Sequence, residues 1–326
     1  MATQTLNASN EGTPDYTTIT TFENQNRDLV TETVALTLEC TGGSSTPKDA
    51  ATSVVFSGWT TSATYLLTIK GMDNHGTTFN TSTYYMEGSG TKVFEGGYLG
   101  CNDIRLENLQ FSGTGAATDV IYWNNSQSGT FSFDRVRVRN TAGTPTGRGF
   151  YCHVGSGTGG AFHLTNCLAY GHGKGVYFFL RDSLSKLYNC TFANNASYGV
   201  DGSIGAGGTC EVKNVVSYNT SATADFNGSY TSASDYNAAS DTTTPGSPGS
   251  NNNDSISDPF TNAASNDYSL DTSVSGACFD EGVDLSAATP AVTEDIEGTA
   301  RGGTWDIGAW EATAAAAGGK KLKLIL

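Results

Sequence analysis

The sequence predicts an all-β chain wound as a parallel β-helix, a solenoid with an N-terminal cap and an extended C-terminal tail. Three observations carry this prediction. One short phrase recurs five times: Ile104-Arg-Leu-Glu-Asn108-Leu-Gln-Phe111, Phe131-Ser-Phe-Asp-Arg135-Val-Arg-Val138, Phe162-His-Leu-Thr-Asn166-Cys-Leu-Ala169, Ser185-Lys-Leu-Tyr-Asn189-Cys-Thr-Phe192 and Cys210-Glu-Val-Lys-Asn214-Val-Val-Ser217. Aligned on the fifth residue, the copies lie 27, 31, 23 and 25 residues apart, a spacing typical of stacked repeats. Each copy alternates apolar and polar residues before the fifth position, as in Ile104 and Leu106, the period of a strand with one buried face. After it the alternation restarts one residue out of phase, at Leu109 and Phe111 or Cys190 and Phe192.

A phase slip needs a bend at which one residue leaves the β region. Asn tolerates the left-handed conformation better than most residues, and it fills four of the five bends, at Asn108, Asn166, Asn189 and Asn214. Coils stacked at the strand spacing of about 4.8 Å would align these amides as a structural ladder. The competing arrangement is a sandwich of independent hairpins, but the Asn-Gly and Asp-Gly turns it calls for are nearly absent.

Composition bounds the function. Of 326 residues 40 are Gly and only 15% are charged, which suits short strands and tight turns and argues against a helical bundle. A net charge of −15 disfavours nucleic acid as a partner. No apolar stretch is long enough to span a membrane, and Met1-Ala-Thr-Gln-Thr-Leu6 lacks the basic start and apolar run of a secretory signal. The expectation is a protein that is either cytoplasmic or leaves the cell by another route, such as lysis. The seven cysteines are dispersed without a CxxC pair, so no metal site and no cofactor is expected. Cys167 and Cys190 share one repeat position and should stack in the core as apolar thiols.

Along the chain, residues 1–30 read as the cap, an early strand followed by a short amphipathic helix, because a solenoid's first coil must cover its open end. Residues 31–312 read as the β-helix. Its first coils are irregular (Thr33 to Cys40, Val54 to Trp59, Leu66 to Ile69, Val93 to Phe94), with a longer loop over 71–92 and a low-complexity loop over 220–257. Residues 313–326 form an Ala/Gly tether and a basic-apolar tail, Lys320, Lys321, Leu322, Lys323, Leu324, Ile325 and Leu326. Its alternation suits a strand added to a partner's sheet edge, and particle docking is the expected role. A tail with no role is the alternative.

A glycosidase would need two carboxylates held a fixed distance apart. Asp103, Glu107, Asp134, Asp182, Asp201 and Asp225 do not recur at one repeat position, although Glu107 and Asp134 share the slot before the bend. The four histidines show no metal-ligand spacing, and no catalytic residues are assigned. Arg135, Arg137 and Arg139 stand out, with Arg137 and Arg139 on the outward phase of their strand. Three guanidinium groups on one coil suit sulfate, a carboxylate-bearing glycan or an acidic subunit, with local pairing to surface acids as the alternative. Arg301 is expected to pair with Asp295 or Asp306.

The end of the chain carries the most specific resemblance. Asp258-Pro-Phe, Asn266-Asp-Tyr-Ser-Leu270, Asp280-Glu-Gly282, Asp295-Ile-Glu-Gly298, Arg301 and Trp305-Asp-Ile-Gly-Ala-Trp-Glu311 follow in order. This resembles the closing coils of the bacterial and phage right-handed β-helix proteins that end in a D-I-G-A-x-E signature, within the pectate-lyase-like solenoid superfamily. Asp15-Tyr-Thr-Thr-Ile19 and the helix after it resemble the entry of such solenoids. The resemblance implies a right-handed coil and a bacteriophage virion structural protein: a capsid decoration, head fibre or tail-associated spike, expected as a homotrimer contacting other virion proteins and host-surface glycans. A polysaccharide lyase or glycoside hydrolase of the tailspike type is the alternative, and a cell-surface adhesin is a third.

Overall fold

The repeated phrase folds as its pattern requires. The computed structural model describes residues 2–7, 18–42, 53–97, 101–125, 129–154, 160–179, 184–202, 208–219, 222–245, 251–274 and 277–312. Among the described residues, successive strands pass in turn to three sheets of eight, seven and seven strands. Six complete three-strand turns run from Leu67 to Gly228. Every pairing between neighbouring turns is parallel, as in Ile104–Glu107 beside Thr130–Asp134 and Thr130–Asp134 beside Ala161–Thr165.

The register stacks like on like. Leu38, Ile69, Leu106, Phe133, Leu164, Leu187 and Val212 form one inward column of the first sheet. Phe94, Ile121, Phe150, Val176, Val200 and Phe226 form one of the third. These side chains are buried and belong to one continuous core. Each contributes about 1.5–3 kcal/mol through apolar burial. Cys167 and Cys190 stack in that core as free thiols, the Cys190 sulfur 3.4 Å from the Cys167 amide. Burial drives the Cys167 thiol well above its ordinary pKa.

Ala2–Asn7 pairs with Leu36–Thr41, and the Thr18 hydroxyl caps the helix Ile19–Glu23 by accepting from the Thr21 amide at 3.1 Å. Phe22 from this helix packs 5.0 Å from the Trp59 ring, closing the first coil.

Three boundaries differ from the sequence reading. Within 71–92, Met86–Gly88 is a strand of the second sheet, too short and glycine-rich to show a period. Within 220–257, Ala224–Gly228 and Ala238–Ala239 continue the third and second sheets. There Asp225 is held by hydrogen bonds from Ser217, Asn219 and Ser240, so a polar sequence still builds a coil.

The largest difference lies in 258–312. This segment adds no parallel turns. It carries an antiparallel pair, Phe260–Asn262 with Asp267–Leu270, and single antiparallel bridges at Gly282–Trp305 and Glu294–Ala300. It folds back along the outside of the second sheet. The cause is legible in register: the outward positions Leu168, Ala193, Val216 and Ala238 are apolar, and they are buried together with Phe260, Tyr268, Ile296, Ile307 and Trp310. We refer to 258–312 as the clasp.

Candidate functional site

The five bends share one backbone conformation. Asn108, Arg135, Asn166, Asn189 and Asn214 have φ between 48° and 56°. The amides do not bond to one another as a continuous ladder. Asn108 donates to the Gly71 and Asp73 carbonyls, both at 2.9 Å, and Asn166 donates to Asp134 at 3.1 Å. Asn214 exchanges two bonds with the Val283 backbone of the clasp, at 2.7 and 2.9 Å. Asn189 can offer its oxygen to Asn214 at 3.4 Å, or with the amide turned over to Arg301 at 3.0 and 3.3 Å. The second choice is shorter and charge-assisted, so it prevails. Arg135 interrupts the series, and the clasp supplies stronger partners than a neighbouring amide.

The clasp is locked by Arg301, whose guanidinium is fully buried. It donates to Glu311 at 2.9 Å and to the Gly308 and Ala309 carbonyls at 2.9 and 3.0 Å. Its ionic partner is therefore Glu311 rather than Asp295 or Asp306. Asp306 accepts from the Asp280 amide at 2.7 Å and from that of Ala312, and burial pushes its pKa up to about 6. Ala309 donates to Thr191 at 3.0 Å and Gly308 to the Asn214 carbonyl at 2.9 Å. The motif Asp306-Ile-Gly-Ala-Trp-Glu311 is thus the seat of the clasp on the second sheet.

The three arginines of one coil do not converge. Arg137 is buried beneath the clasp, near Tyr170, Asp295 and Glu297, and burial lowers its pKa to about 10. Arg139 lies 3.8 Å over the Phe79 ring and donates to Ser112 at 3.1 Å. Arg135 alone faces a cleft. The docking tail Lys320 to Leu326 lies outside the described residues, as does Asp182.

That cleft, about 360 Å³, runs between the first sheet's outer face and clasp residues 290–294; Ser132, Asp134, Arg135, His163 and Glu294 line it. Arg135 bonds Glu294 at 2.7 Å, and its Nε lies 3.2 Å from Asp134, off the hydrogen-bond axis. Burial, with Lys186 nearby, lowers the His163 pKa to about 4, so the imidazole is neutral near pH 7. Both carboxylates are committed to one guanidinium. Among the described residues no three His, Cys, Asp or Glu side chains converge to hold a metal ion, and no helix is long and apolar enough to cross a membrane.

The third sheet presents a different chemistry, which the five phrases do not cover. Its outward row pairs Tyr122 with Tyr151 and Tyr151 with Tyr177 in adjacent coils. The rings are 4.9 and 5.1 Å apart between centroids. A parallel row sets Lys92 beside Asp119, Arg148 beside Lys174 and Lys174 beside Tyr198. Lys92 sits 3.7 Å over Tyr122, Arg148 3.9 Å over Tyr151 and Lys174 4.3 Å over Tyr177. Farther along the strands, His153 stacks on Phe179 at 5.1 Å and meets Asn124 at 2.8 Å. The tyrosines, His153 and Phe179 all keep part of their surface in solvent.

The signal was present in the sequence as a second phrase, Arg148-Gly-Phe-Tyr151, Lys174-Gly-Val-Tyr177 and Tyr198-Gly-Val-Asp201. Its glycine is a packing requirement: a Cβ on Gly149 would come within 2.6 Å of the Gly175 carbonyl, and one on Gly175 within 2.6 Å of the Gly199 carbonyl. The three faces of the rod are therefore unlike. The first is polar and charged, the second is covered by the clasp, and the third offers aromatic rings fringed by hydrogen-bonding groups. No protein-family model, no curated protein and no solved structure matches the chain.

Proposed function

We propose that the protein is a glycan-binding structural rod, with the third sheet as its binding face. The observation that carries this reading is the tyrosine ladder, whose rings stay partly open to solvent. Cross-coil and cation–π pairs at such exposure contribute only about 0.2–1 kcal/mol each, so stability alone gives little reason to place a run of aromatics there. Tyrosine offers a rigid apolar ring for a sugar's C–H surface and a hydroxyl for its oxygens. Arg148 and Lys174, both partly open to solvent, add charged hydrogen-bond donors beside it. A spike, head fibre or capsid decoration of a phage-type particle, assembled as a homotrimer and docked through Lys320 to Leu326, is the setting that the resemblance of the chain's final motif supports. The fold by itself names no function.

Screening the purified protein against immobilised bacterial-surface and plant polysaccharides tests the reading. Binding is expected, and the double variant Tyr151→Ala, Tyr177→Ala should weaken it at least tenfold with an unchanged melting temperature. Equal binding by the variant would rule the ladder out. A second reading has its own observation, two carboxylates, Asp134 and Glu294, on Arg135 beside His163; a polysaccharide hydrolase or lyase working in the first-sheet cleft would need one of them released from the guanidinium. New reducing or unsaturated ends in the same incubations, lost in Glu294→Gln, would favour it.

A further inference from the structure

We propose that the third-sheet face takes a neutral glycan chain laid along the axis of the rod, and discriminates against uronate, sialylated and sulfated chains. This rests on the glycan-binding reading above and adds the chemical class and direction of the ligand.

The charge argument comes from the pairing of each cation on that face. Lys92 is bound to Glu95 at 2.5 Å, Arg148 to Asp119 at 2.9 Å and Lys174 to Asp201 at 2.5 Å. Three cations meet three carboxylates, so the platform carries no net charge from these groups. The carboxylates are not free to swing away. Glu95, Asp119 and Asp201 are buried, with Asp201 1% exposed. Asp119 also accepts from the Arg148 amide at 3.0 Å, and Asp201 accepts from Asn227 at 2.9 Å. An anionic sugar would have to compete with a fixed internal carboxylate for each cation while approaching a chain of net charge −15. A cation already neutralised adds little attraction for a second anion. A hydroxyl faces no such competition. It can accept from the partly exposed N–H groups of Arg148 or Lys174 without displacing the carboxylate behind each.

The direction follows from register. Glu95, Tyr122, Tyr151, Tyr177, Asp201 and Asn227 are consecutive partners across the coils, so the row crosses the strands at right angles. Five steps of about 4.8 Å make it roughly 24 Å long, and the solvent-facing rings Tyr122, Tyr151 and Tyr177 occupy two of those steps, roughly 10 Å, more than a single sugar ring covers. Beyond Val55, which stands beside Glu95 in the first coil, the two outward rows carry no branched aliphatic side chain, unlike the second sheet's outer face, where Leu168 and Val216 lie buried beneath the clasp. Its chemistry is suited to a hydroxylated chain more than to a second copy of the protein.

The test is calorimetry on the full chain with two matched probe series. One is neutral linear gluco- and galacto-oligosaccharides of increasing length, and the other is the same chains oxidised at C6 to uronates. Affinity is expected to rise with length in the neutral series, to be at least tenfold weaker for the uronates, and to fall severalfold in Tyr151→Ala. Asp119→Asn, which frees Arg148, should narrow the gap by improving uronate binding. Uronates bound as tightly as neutral chains, with the loss in Tyr151→Ala retained, would overturn the neutral assignment and leave the glycan platform standing. Binding by neither series, or dissociation of an oligomer by Tyr151→Ala, would overturn both.

Discussion

Replacing Arg301 with alanine is expected to cost about 3–5 kcal/mol, because it removes one partner of a buried ion pair and leaves the other uncompensated. Glu311 and the Gly308 and Ala309 carbonyls would lose their donor together. The damage should be local. Residues 258–312 would gain hydrogen exchange and protease cleavage, while the turns between Ile104 and Lys213 keep their protection. Release of the clasp would also expose Leu168 and Val216, so self-association should follow. Arg301→Lys should recover little, since an ammonium cannot reproduce the planar fork that reaches a carboxylate and two carbonyls at once. Unchanged exchange across 258–312 in Arg301→Ala would show that the clasp is held by apolar burial alone.

Trp123→Ala should have a comparable effect on the coil itself. The indole is fully buried, 4.4 Å from the Phe131 ring, 6.0 Å from Phe94 and 6.5 Å from Phe133. It bridges three successive turns. Its neighbour in the preceding turn is Gly96, where a Cβ would come within 2.4 Å of the indole, so the space was made by removing a side chain. Large aromatic truncations of this kind cost about 3–5 kcal/mol. Chemical denaturation should show a lowered midpoint, and a solenoid can lose its single cooperative transition when one turn is weakened. A shift below about 1 kcal/mol would contradict the packing described.

The sequence made the coil legible because one face of each strand is buried and the bend recurs at a fixed position. Ile104 to Ser217 could be read in register, and the positive φ of Asn108, Asn166, Asn189 and Asn214 follows from the residue chosen there. The clasp was not legible in the same way. The order of its turn residues can be read, yet such an order does not say whether a segment extends a stack or folds beside it. The deciding signal lay elsewhere, in apolar residues at outward positions such as Leu168 and Val216, which need a cover. Arg137 shows the same limit: the alternation gives its phase along the strand, but whether such a side chain reaches solvent depends on what packs over it. The tyrosine ladder escaped because its strands lie outside the five aligned phrases, and Tyr122, Tyr151 and Tyr177 meet only once the coils are stacked.

Hydroxyl-radical footprinting of the free protein and of its complex with a neutral oligosaccharide tests the binding face most directly. Tyr122, Tyr151, Tyr177 and Tyr198 should be modified in the free protein and protected in the complex, while Tyr84 and Tyr268, both essentially fully buried, should stay inert in each. Protection appearing instead at His163 and residues 290–294, with the four tyrosines unchanged, would move the site to the first-sheet cleft and contradict the third sheet's role.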